Sequence, residues 1–269
     1  MIRFRHLEGR EDLGGCVELQ RKAWGEGFAE LVPASILQVS QKVGGLLGGA
    51  FEGPRLLGFV YSLIGVQGGK IVQWSHMLAV DPEARGQGLG RRLKLFQRTE
   101  LLNRGVHTVF WTFDPLVAQN AHLNVNRLGA LIVGYVPNMY GESTGSALHV
   151  GGATDRFVVR WDLKSPRVRW AVDGDVAADR SGAVTDAPTI EAPEPGTVVE
   201  DAELPETDAV RIEIPYDLAT AAERDAEHLA RWRDTVRHAF LTYLRGGYVV
   251  QSFHRESSPR RCFYFLRRP

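Results

Sequence analysis

The sequence predicts an α/β (α+β) fold, with a central sheet flanked by helices, and three observations lead to it. An apolar, strand-like stretch at 70–80 runs into a glycine-spaced loop at 85–90, which opens a helical pattern. Strand and helix patterns alternate over residues 1–165. An acidic, proline-containing segment, 173–208, precedes a shorter strand–helix–strand–strand pattern at 209–269. The 269 residues therefore accommodate one domain and a smaller unit.

The residues before the loop predict one strand, two helices and three strands. Apolar and basic residues alternate at the start, as in a half-buried strand, and two stretches with helical spacing come next, the second starting at Pro33. A Gly-Pro turn at residues 53–54 joins two further strands. The predicted elements are strand 2–7, helix 10–24, helix 33–42 and strands 44–51, 56–66 and 70–80.

The residues after the loop predict a helix, a strand, a second helix and two strands. The first helix ends at Asn103 before Gly105, and the second ends at Gly129. The strand between them is rich in β-branched and aromatic residues, so we expect it to be buried on both faces. These elements are helix 89–103, strand 107–113, helix 116–128 and strands 131–135 and 156–162.

The last third of the chain predicts a linker and a second folded unit. Residues 173–208 are acidic and nearly free of large apolar residues, so they cannot bury enough surface to offset their ordering entropy. We expect a linker that is flexible or pinned along the surface. The unit at 209–269 has the predicted elements strand 210–214, a long helix to 244, and strands 248–253 and 262–266. It is either a degenerate second copy of residues 107–162 or an unrelated α+β appendage.

Composition excludes several classes of protein. Acidic and basic residues are equal in number, which argues against affinity based on neutralising the phosphates of a nucleic acid. Cys16 and Cys262 have no further Cys or His at metal-ligand spacing, so we expect packing residues and no metal site. No apolar signal core or membrane span is present, which predicts a soluble, cytoplasmic protein without a membrane partner.

The central loop, Arg85-Gly86-Gln87-Gly88-Leu89-Gly90, predicts a phosphate site. Its glycines leave backbone N–H groups uncovered, and the helix after the loop adds unsatisfied donors and a partial positive charge. No Lys-Ser/Thr comes after the last glycine, so the loop is not a P-loop, which disfavours a nucleotide-binding protein. The G-x-G-x-G spacing also differs from the dinucleotide fingerprint G-x-G-x-x-G.

The loop resembles the acetyl-CoA-binding motif [RQ]-x-x-G-x-[GA] of the GNAT N-acetyltransferase superfamily. Arg85, Gly88 and Gly90 occupy the motif positions, and Val80-Asp81-Pro82 closes the preceding strand as V-x-P does there. The order of predicted elements over residues 1–165 is also the order in that superfamily, and residues 74–140 look like an uncharacterised GNAT-like family. The resemblance implies a GNAT-like, mixed but mostly antiparallel central sheet, and acetyl-CoA or another acyl-CoA as the cofactor.

The resemblance also implies which residues bind the cofactor. The backbone of Leu78, Ala79 and Val80 would hold pantetheine and the thioester carbonyl. The pyrophosphate would lie on the N–H groups of Arg85, Gly86, Gln87, Gly88, Leu89 and Gly90. Asn120, on the later helix, would contact the pantetheine arm.

The catalytic groups implied by the resemblance are incomplete. The tyrosine that protonates the thiolate in many relatives is replaced by Val125, so Asn124, His122 or a water would have to serve. The strand glutamate is also missing, and His76 is the candidate base, with a structural strand histidine as the alternative. Tyr140, with Tyr135 and Asn138, is a candidate for the acceptor site; the alternative is loop packing.

The leading functional hypothesis is an acyl-CoA-dependent N-acyltransferase that transfers the acyl group directly to an amine of a small molecule or peptide. The competing hypothesis is a catalytically silent CoA-binding or scaffolding protein. The apolar stripe of the long C-terminal helix, Leu229, Trp232, Val236 and Phe240, must be buried. We therefore expect residues 209–269 to pack on the first domain or on a second subunit in a homodimer.

Overall fold

The structure is a computed structural model that describes residues 1–141, 145–146, 154–174, 186–191, 204–224 and 226–269. The strands are β1 (Ile2–His6), β2 (Leu46–Glu52), β3 (Arg55–Gln67), β4 (Lys70–Val80), β5 (Thr108–Phe113), β6 (Leu131–Val136), β7 (Arg156–Asp162), β8 (Thr189–Ile190), β9 (Ala209–Ile214), β10 (Val249–Ser257) and β11 (Arg260–Arg267). The helices are α1 (Gly9–Trp24), α2 (Ala34–Lys42), α3 (Leu89–Asn103), α4 (Ala118–Ala121), α5 (Pro166–Asp173), α6 (Leu218–Arg224) and α7 (Ala226–Arg245).

The strands form two sheets. A seven-stranded sheet has the order β1-β2-β3-β4-β5-β7-β6, and a four-stranded sheet has the order β10-β11-β9-β8. Strands β1 to β4 pair antiparallel, and β5 joins β4 in parallel. The predicted fold class, a mixed and mostly antiparallel sheet flanked by helices with a smaller C-terminal unit, is confirmed.

The chain divides into two compact units. The first unit consists of Met1–Trp111, Thr144–Leu148 and Arg160–Val168, and the second of Thr112–Ser143, His149–Val159 and Arg169–Pro269. Compactness does not test which segments fold independently. The domain boundaries at residues 165 and 209 therefore stay a prediction.

Helices α1 and α2 cover one face of the sheet in the first unit. Their apolar residues Leu19 and Leu37 belong to one buried cluster with Phe59, Met77 and Ala79 of β3 and β4. Helix α3 covers other residues of the same strands, and the ring of Phe96 reaches Gly48 of β2. A Cβ atom at Gly48 would lie 2.5 Å from this ring, so only glycine allows the close approach. Strand β4, which leads into the central loop, therefore has helices packed on both of its faces.

An aromatic cluster forms the core of the second unit. Phe240 of α7 lies edge-on to Phe157 of β7 with ring centroids 4.6 Å apart, and both rings contact Tyr264 of β11. The other residues of the predicted apolar stripe, Leu229, Trp232 and Val236, are also buried. Edge-to-face contacts stabilise such a cluster beyond the contribution from burying the rings. The C-terminal helix therefore buries its apolar face, and Phe240 packs it on β7 and β11 of the same unit.

Several elements differ from those expected. Strand β5 alternates between buried and partly buried residues, so the expectation of burial on both faces was wrong. Helix α5 and the two-residue strand β8 fall in or beside the predicted linker, where proline and charge content favoured a coil. Residues 186–191 and 204–208 of that segment are described, and Ile190 and Leu204 are buried. Residues 175–185 and 192–203 lie outside the described residues, so the expectation of a linker stays a prediction there.

Candidate functional site

The glycine loop joins β4 to the amino terminus of α3. Gly86 has φ +81° and Gly88 has φ +69°, a left-handed conformation that glycine adopts without steric cost. A Cβ atom at either position would meet no protein atom within 4 Å. The first turn of α3 contains no acidic residue. The exposed loop therefore offers uncovered backbone N–H donors and a favourable helix dipole to an anion.

The turn between β4 and the loop is fixed by Asp81. Its carboxylate accepts hydrogen bonds from the backbone N–H of Glu83 (3.1 Å) and from Nη2 of Arg55 (3.1 Å). Burial raises the pKa of Asp81, but these bonds outweigh it, so the pKa is below the usual aspartate value. The Val-Asp-Pro sequence thus anchors the start of the loop through a charged side chain.

Strands β4 and β5 pair over a short distance and then separate. The parallel register contains only Gln73↔Val109 and Trp74↔Phe110. Strand β4 continues to Val80 and stays paired with β3 up to Val80↔Gly58. Residues 75–80 therefore keep one backbone edge that β5 does not cover. This is the stretch that contains Leu78, Ala79 and Val80, and its free edge can accept or donate hydrogen bonds to an extended ligand.

A β-bulge lies at His76. Tyr61 of β3 pairs with Met77, and the next residue, Ser62, pairs with Ser75, so His76 has no partner of its own. The bulge changes which face the side chains reach. Met77 joins the core under α1 and α2, whereas Ser75 is hydrogen-bonded to residues of α3. His76 lies with Tyr61, edge-on at 5.9 Å between ring centroids, on the α1 and α2 side.

His76 is electrostatically suited to accept a proton near neutral pH. Burial lowers its pKa, and the carboxylate of Glu30, in the segment between α1 and α2, opposes this by raising the pKa. The net pKa lies below the usual histidine value, so the imidazole is neutral at pH 7. The hydroxyl of the neighbouring Tyr61 is bonded to Ser40 (2.5 Å), and burial raises the pKa of Tyr61. His76 is therefore neutral at pH 7, with an imidazole nitrogen that can accept a proton.

A buried lysine lies beneath the point where β4 and β5 separate. Lys94 of α3 is 2% exposed, and its Nζ donates to Ser75 Oγ (2.7 Å) and Gln97 Oε1 (3.1 Å). Its Nζ also lies 3.8 Å from the centroid of the Trp111 ring. Among the described residues no carboxylate lies within ion-pair distance, and burial lowers the pKa of Lys94 well below its usual value. The sequence gives no signal for this cluster, because Lys94 falls on an otherwise ordinary helical pattern.

In the second unit, the predicted helix 116–128 begins at Ala118 and changes character after one turn. Helix α4 continues as a π-helical turn at His122–Arg127, in which Leu128 N donates to Leu123 O (2.9 Å). Asn120 is partly exposed on α4, and Asn124 is buried in the π-helical turn. Val125, at the position of the expected tyrosine, is 3% exposed and packs in the core. Its aliphatic side chain cannot donate a proton to a thiolate.

Tyr140 and Tyr135 have different environments. The Tyr140 hydroxyl is hydrogen-bonded to Thr112 Oγ1 (3.0 Å), and the side chain is partly exposed. The Tyr135 hydroxyl donates to Asp155 Oδ2 (2.5 Å), and burial together with this carboxylate raises the pKa of Tyr135. Asp155 also accepts the backbone N–H of Asn138 (3.0 Å). Tyr135 is therefore committed to a structural bond, whereas Tyr140 retains contact with solvent.

The predicted site residues fall in both units. Within the first unit, the predicted cofactor residues come together: a Cβ atom at Gly90 would lie 3.8 Å from Leu78 Cδ2, and Val80 packs on the small buried cluster that contains Leu89. His76 belongs to the same unit, together with the unpredicted Glu30. Asn120, Asn124 and Tyr140 belong to the second unit. Their roles stay predictions.

In the part of the chain that the structure describes, no group of three or more His, Cys, Asp or Glu side chains could hold a metal ion. Cys16 and Cys262 are both buried free thiols, and burial raises the pKa of Cys16 to about 12. No helix within the described ranges is long and apolar enough to cross a membrane.

Comparison with known proteins supports the assignment from the loop. Residues 15–127 match the family model of the acetyltransferase (GNAT) family. No curated protein sequence matches the chain. The ribosomal-protein-S18-alanine N-acetyltransferase of Escherichia coli has a similar fold, with a TM-score of 0.50 and 21% identity over 61% of this chain and 96% of that chain.

Two further solved structures cover similar shares of the chain. The Salmonella typhimurium protein yncA, solved with its cofactor acetyl-CoA, has a TM-score of 0.47 and 16% identity over 61% of this chain and 95% of that chain. The paiA N-acetyltransferase of Thermoplasma acidophilum, in complex with coenzyme A, has a TM-score of 0.43 and 17% identity over 60% and 99% of the two chains.

Proposed function

We propose, since residues 15–127 are a GNAT acetyltransferase domain, that this protein is an acyl-CoA-dependent N-acyltransferase. Its donor is acetyl-CoA or another acyl-CoA, and its acceptor is an amine of a small molecule or a peptide. The acyl group passes directly from the thioester to the amine. The observation that carries the proposal is the separation of β4 from β5 directly before the glycine loop. It provides an uncovered strand edge and an anion site in one continuous segment.

The chain's own residues have distinct tasks in this reaction. The N–H groups of residues 85–90 bind the pyrophosphate, and the free edge of residues 78–80 binds pantetheine and polarises the thioester carbonyl. Asn120 contacts the pantetheine arm. Holding the thioester in a fixed position supplies much of the rate enhancement of a transfer between two bound reactants.

Proton transfer is assigned to His76 and to Asn124 in the π-helical turn after α4. His76 is neutral at pH 7 and accepts the proton of the attacking amine. Asn124 is assigned to the leaving group, because its carboxamide can orient a water that protonates the thiolate. Tyr140 is assigned to the acceptor site. The acceptor contacts residues between α1 and α2, which include Glu30, and a carboxylate there favours a cationic amine substrate.

The second candidate is a catalytically silent CoA-binding protein. The observation that favours it is Val125, which packs in the core at the position where a tyrosine would protonate the thiolate. The two candidates differ in turnover and share the cofactor. CoA release from acetyl-CoA in the presence of a panel of amines and amino-terminal peptides distinguishes them, because the silent protein binds acetyl-CoA without consuming it.

Calorimetry with CoA tests the site that both candidates share. Gly88→Glu adds a side chain and a negative charge in the open space above the loop, and we expect the affinity for CoA to fall roughly tenfold or more. Gly53→Glu is the matched control, because Gly53 also has positive φ (+58°) and open surroundings but lies in the turn between β2 and β3. Equal affinities of wild type and Gly88→Glu would refute the loop assignment.

A further inference from the structure

The side chain of Asn126 bonds the π-helical turn after α4 to the C-terminal sheet. Asn126 Nδ2 donates to the backbone oxygen of Phe253 (2.6 Å), and the backbone N–H of Phe253 donates to Asn126 Oδ1 (3.1 Å). A carboxamide has one acceptor and two donors in a plane, so it can complete both hydrogen bonds of a peptide group at once. Asn126 thus occupies the position that a neighbouring strand would take.

The partner of Asn126 is an edge strand. Strand β10 is the first strand of the order β10-β11-β9-β8, and Phe253 pairs on its inner side with Tyr264 of β11. The outer N–H and C=O groups of an edge strand otherwise need water or another chain. Asn126 satisfies these two groups at Phe253, so the bond stabilises both the sheet edge and the helical turn.

The C-terminal unit, residues 209–269, also holds the beginning of the segment that contains α4 and the π-helical turn. The hydroxyl of Tyr264, which is fully buried, donates to the backbone oxygen of Pro115 (2.8 Å). Arg233 of α7 donates from Nη2 to Asp114 Oδ2 (3.2 Å), and Asp114 Oδ1 accepts the backbone N–H of Leu116 (2.9 Å). Both ends of the segment 114–127 are therefore bonded to residues beyond 209.

The residues between these attachments include Asn120, assigned to the pantetheine arm, and Asn124, assigned to the protonation of the thiolate. Asn120 lies on the single α-helical turn, and Asn124 lies inside the π-helical turn, whose i→i−5 bond rotates later side chains relative to an α-helix. A four-residue α-helix has little stability of its own. The orientation of Asn120 and Asn124 therefore depends on contacts from outside the helix.

We infer that the C-terminal unit positions the acyl-CoA-binding segment 114–127, and that Asn126 is the positioning residue through which strand β10 acts. The inference rests on the proposed function, since it concerns the binding of CoA. It gives the C-terminal unit a task in CoA binding, which the unit performs by holding the segment 114–127.

Hydrogen exchange and CoA calorimetry on the full-length chain test this together. In Asn126→Ala we expect the amides of residues 116–128 to exchange faster and the affinity for CoA to fall about three- to tenfold, as expected for the loss of two hydrogen bonds. Asn126→Asp keeps the acceptor for the Phe253 N–H but loses the donor, so its effect should be intermediate or larger through repulsion from the carbonyl. Ser252→Ala is the matched control, because the Ser252 hydroxyl is bonded to His254 within β10 (2.6 Å).

The outcomes are distinguishable. Faster exchange with weaker CoA binding in the Asn126 variants, and neither effect in Ser252→Ala, supports the inference. Unchanged CoA affinity in a folded Asn126 variant overturns it, whether or not exchange accelerates, because the bond is then only structural. If Asn126→Ala does not fold, Asn126→Asp decides by the same two measurements. A wild-type protein that binds no CoA instead refutes the proposed function.

Discussion

Two parallel strand pairs, β4–β5 and β8–β9, have the same kind of pairing, but the residues that follow β4 differ from those that follow β8. Each pair contains two residue matches: Gln73↔Val109 and Trp74↔Phe110 in the first, Thr189↔Arg211 and Ile190↔Ile212 in the second. The neighbouring strands also have one order, β5-β7-β6 in the large sheet and β9-β11-β10 in the small sheet. The predicted second copy of a half-domain stays a prediction, and this shared order supports it.

The pairs diverge after the match. Strand β4 continues for six residues past Trp74 and then enters the glycine loop and the 15-residue helix α3. Strand β8 ends at Ile190, and the next residue, Glu191, forms an ion pair with Arg261 of β11. Residues 191–208 contain one glycine, Gly196, in place of a glycine-spaced loop. The proposed cofactor site therefore depends on the strand edge and the glycine loop that follow the β4–β5 match, and not on the strand order that the two sheets share.

The largest expected effect comes from removing the C-terminal unit altogether. A chain that ends at Lys164 loses Phe240 and Tyr264, which pack on Phe157, and leaves Asp155 without Arg237. We expect aggregation, or a melting temperature at least about 10 °C lower, because large aromatic area and buried carboxylates become exposed or unpaired. Scanning calorimetry and size-exclusion chromatography measure this. A soluble, monomeric and equally stable truncated chain would contradict a packing role.

The next effect comes from cutting a single attachment of the C-terminal unit. Arg233→Met removes a guanidinium from a pair whose side chains are 4% and 8% exposed, and leaves the buried Asp114 carboxylate with the longer contact to Arg156 (3.9 Å). We expect a loss of about 3 kcal/mol of unfolding free energy in urea titrations. Arg261→Met is the control: its pair with Glu213 is more exposed, so the loss should stay at or below about 1 kcal/mol. Equal losses in the two variants would argue against a special role for Arg233.

A third prediction concerns the bulge, which β8 is too short to contain. If His76 is the base, kcat/KM falls with decreasing pH as the imidazole protonates, at a pKa below the usual histidine value. His76→Gln should lower kcat/KM about 100-fold and abolish this acidic limb. Tyr61→Phe keeps the ring beside His76 and should retain the limb. An unchanged profile in His76→Gln would leave His76 a structural residue.

The smallest expected effect concerns Lys94 of helix α3. No helix corresponding to α3 follows β8 among the described residues of 191–208. The pKa of Lys94 is lower in the folded than in the unfolded chain, so the unfolded state binds more protons between the two values. Stability should therefore rise with pH towards the ordinary lysine value of about 10.4. Lys94→Met should remove this rise and change the unfolding free energy at pH 7 by about 1 kcal/mol. Parallel pH curves in urea titrations would show that Lys94 does not titrate in this window.

The elements with local signals could be predicted from the amino-acid sequence. The spacing of Arg85, Gly88 and Gly90 after an apolar strand predicted the loop and the start of α3, because positive φ and helix initiation depend on neighbouring residues. The three-four spacing of Leu229, Trp232, Val236 and Phe240 predicted the buried face of α7 for the same reason.

The features that depend on distant pairs of residues were set by tertiary contacts instead. The bulge at His76 exists because β3 and β4 differ by one residue in register, which no single stretch encodes. The π-helical turn is tied to Phe253, 127 residues beyond Asn126, and the pKa of Lys94 depends on burial between α3 and Trp111. Local propensity does not predict such contacts, because they stabilise the structure only when the folded chain brings distant residues together. The conformation of the glycine loop could therefore be predicted from the sequence, whereas the bulge, the π-helical turn and the burial of Lys94 could not.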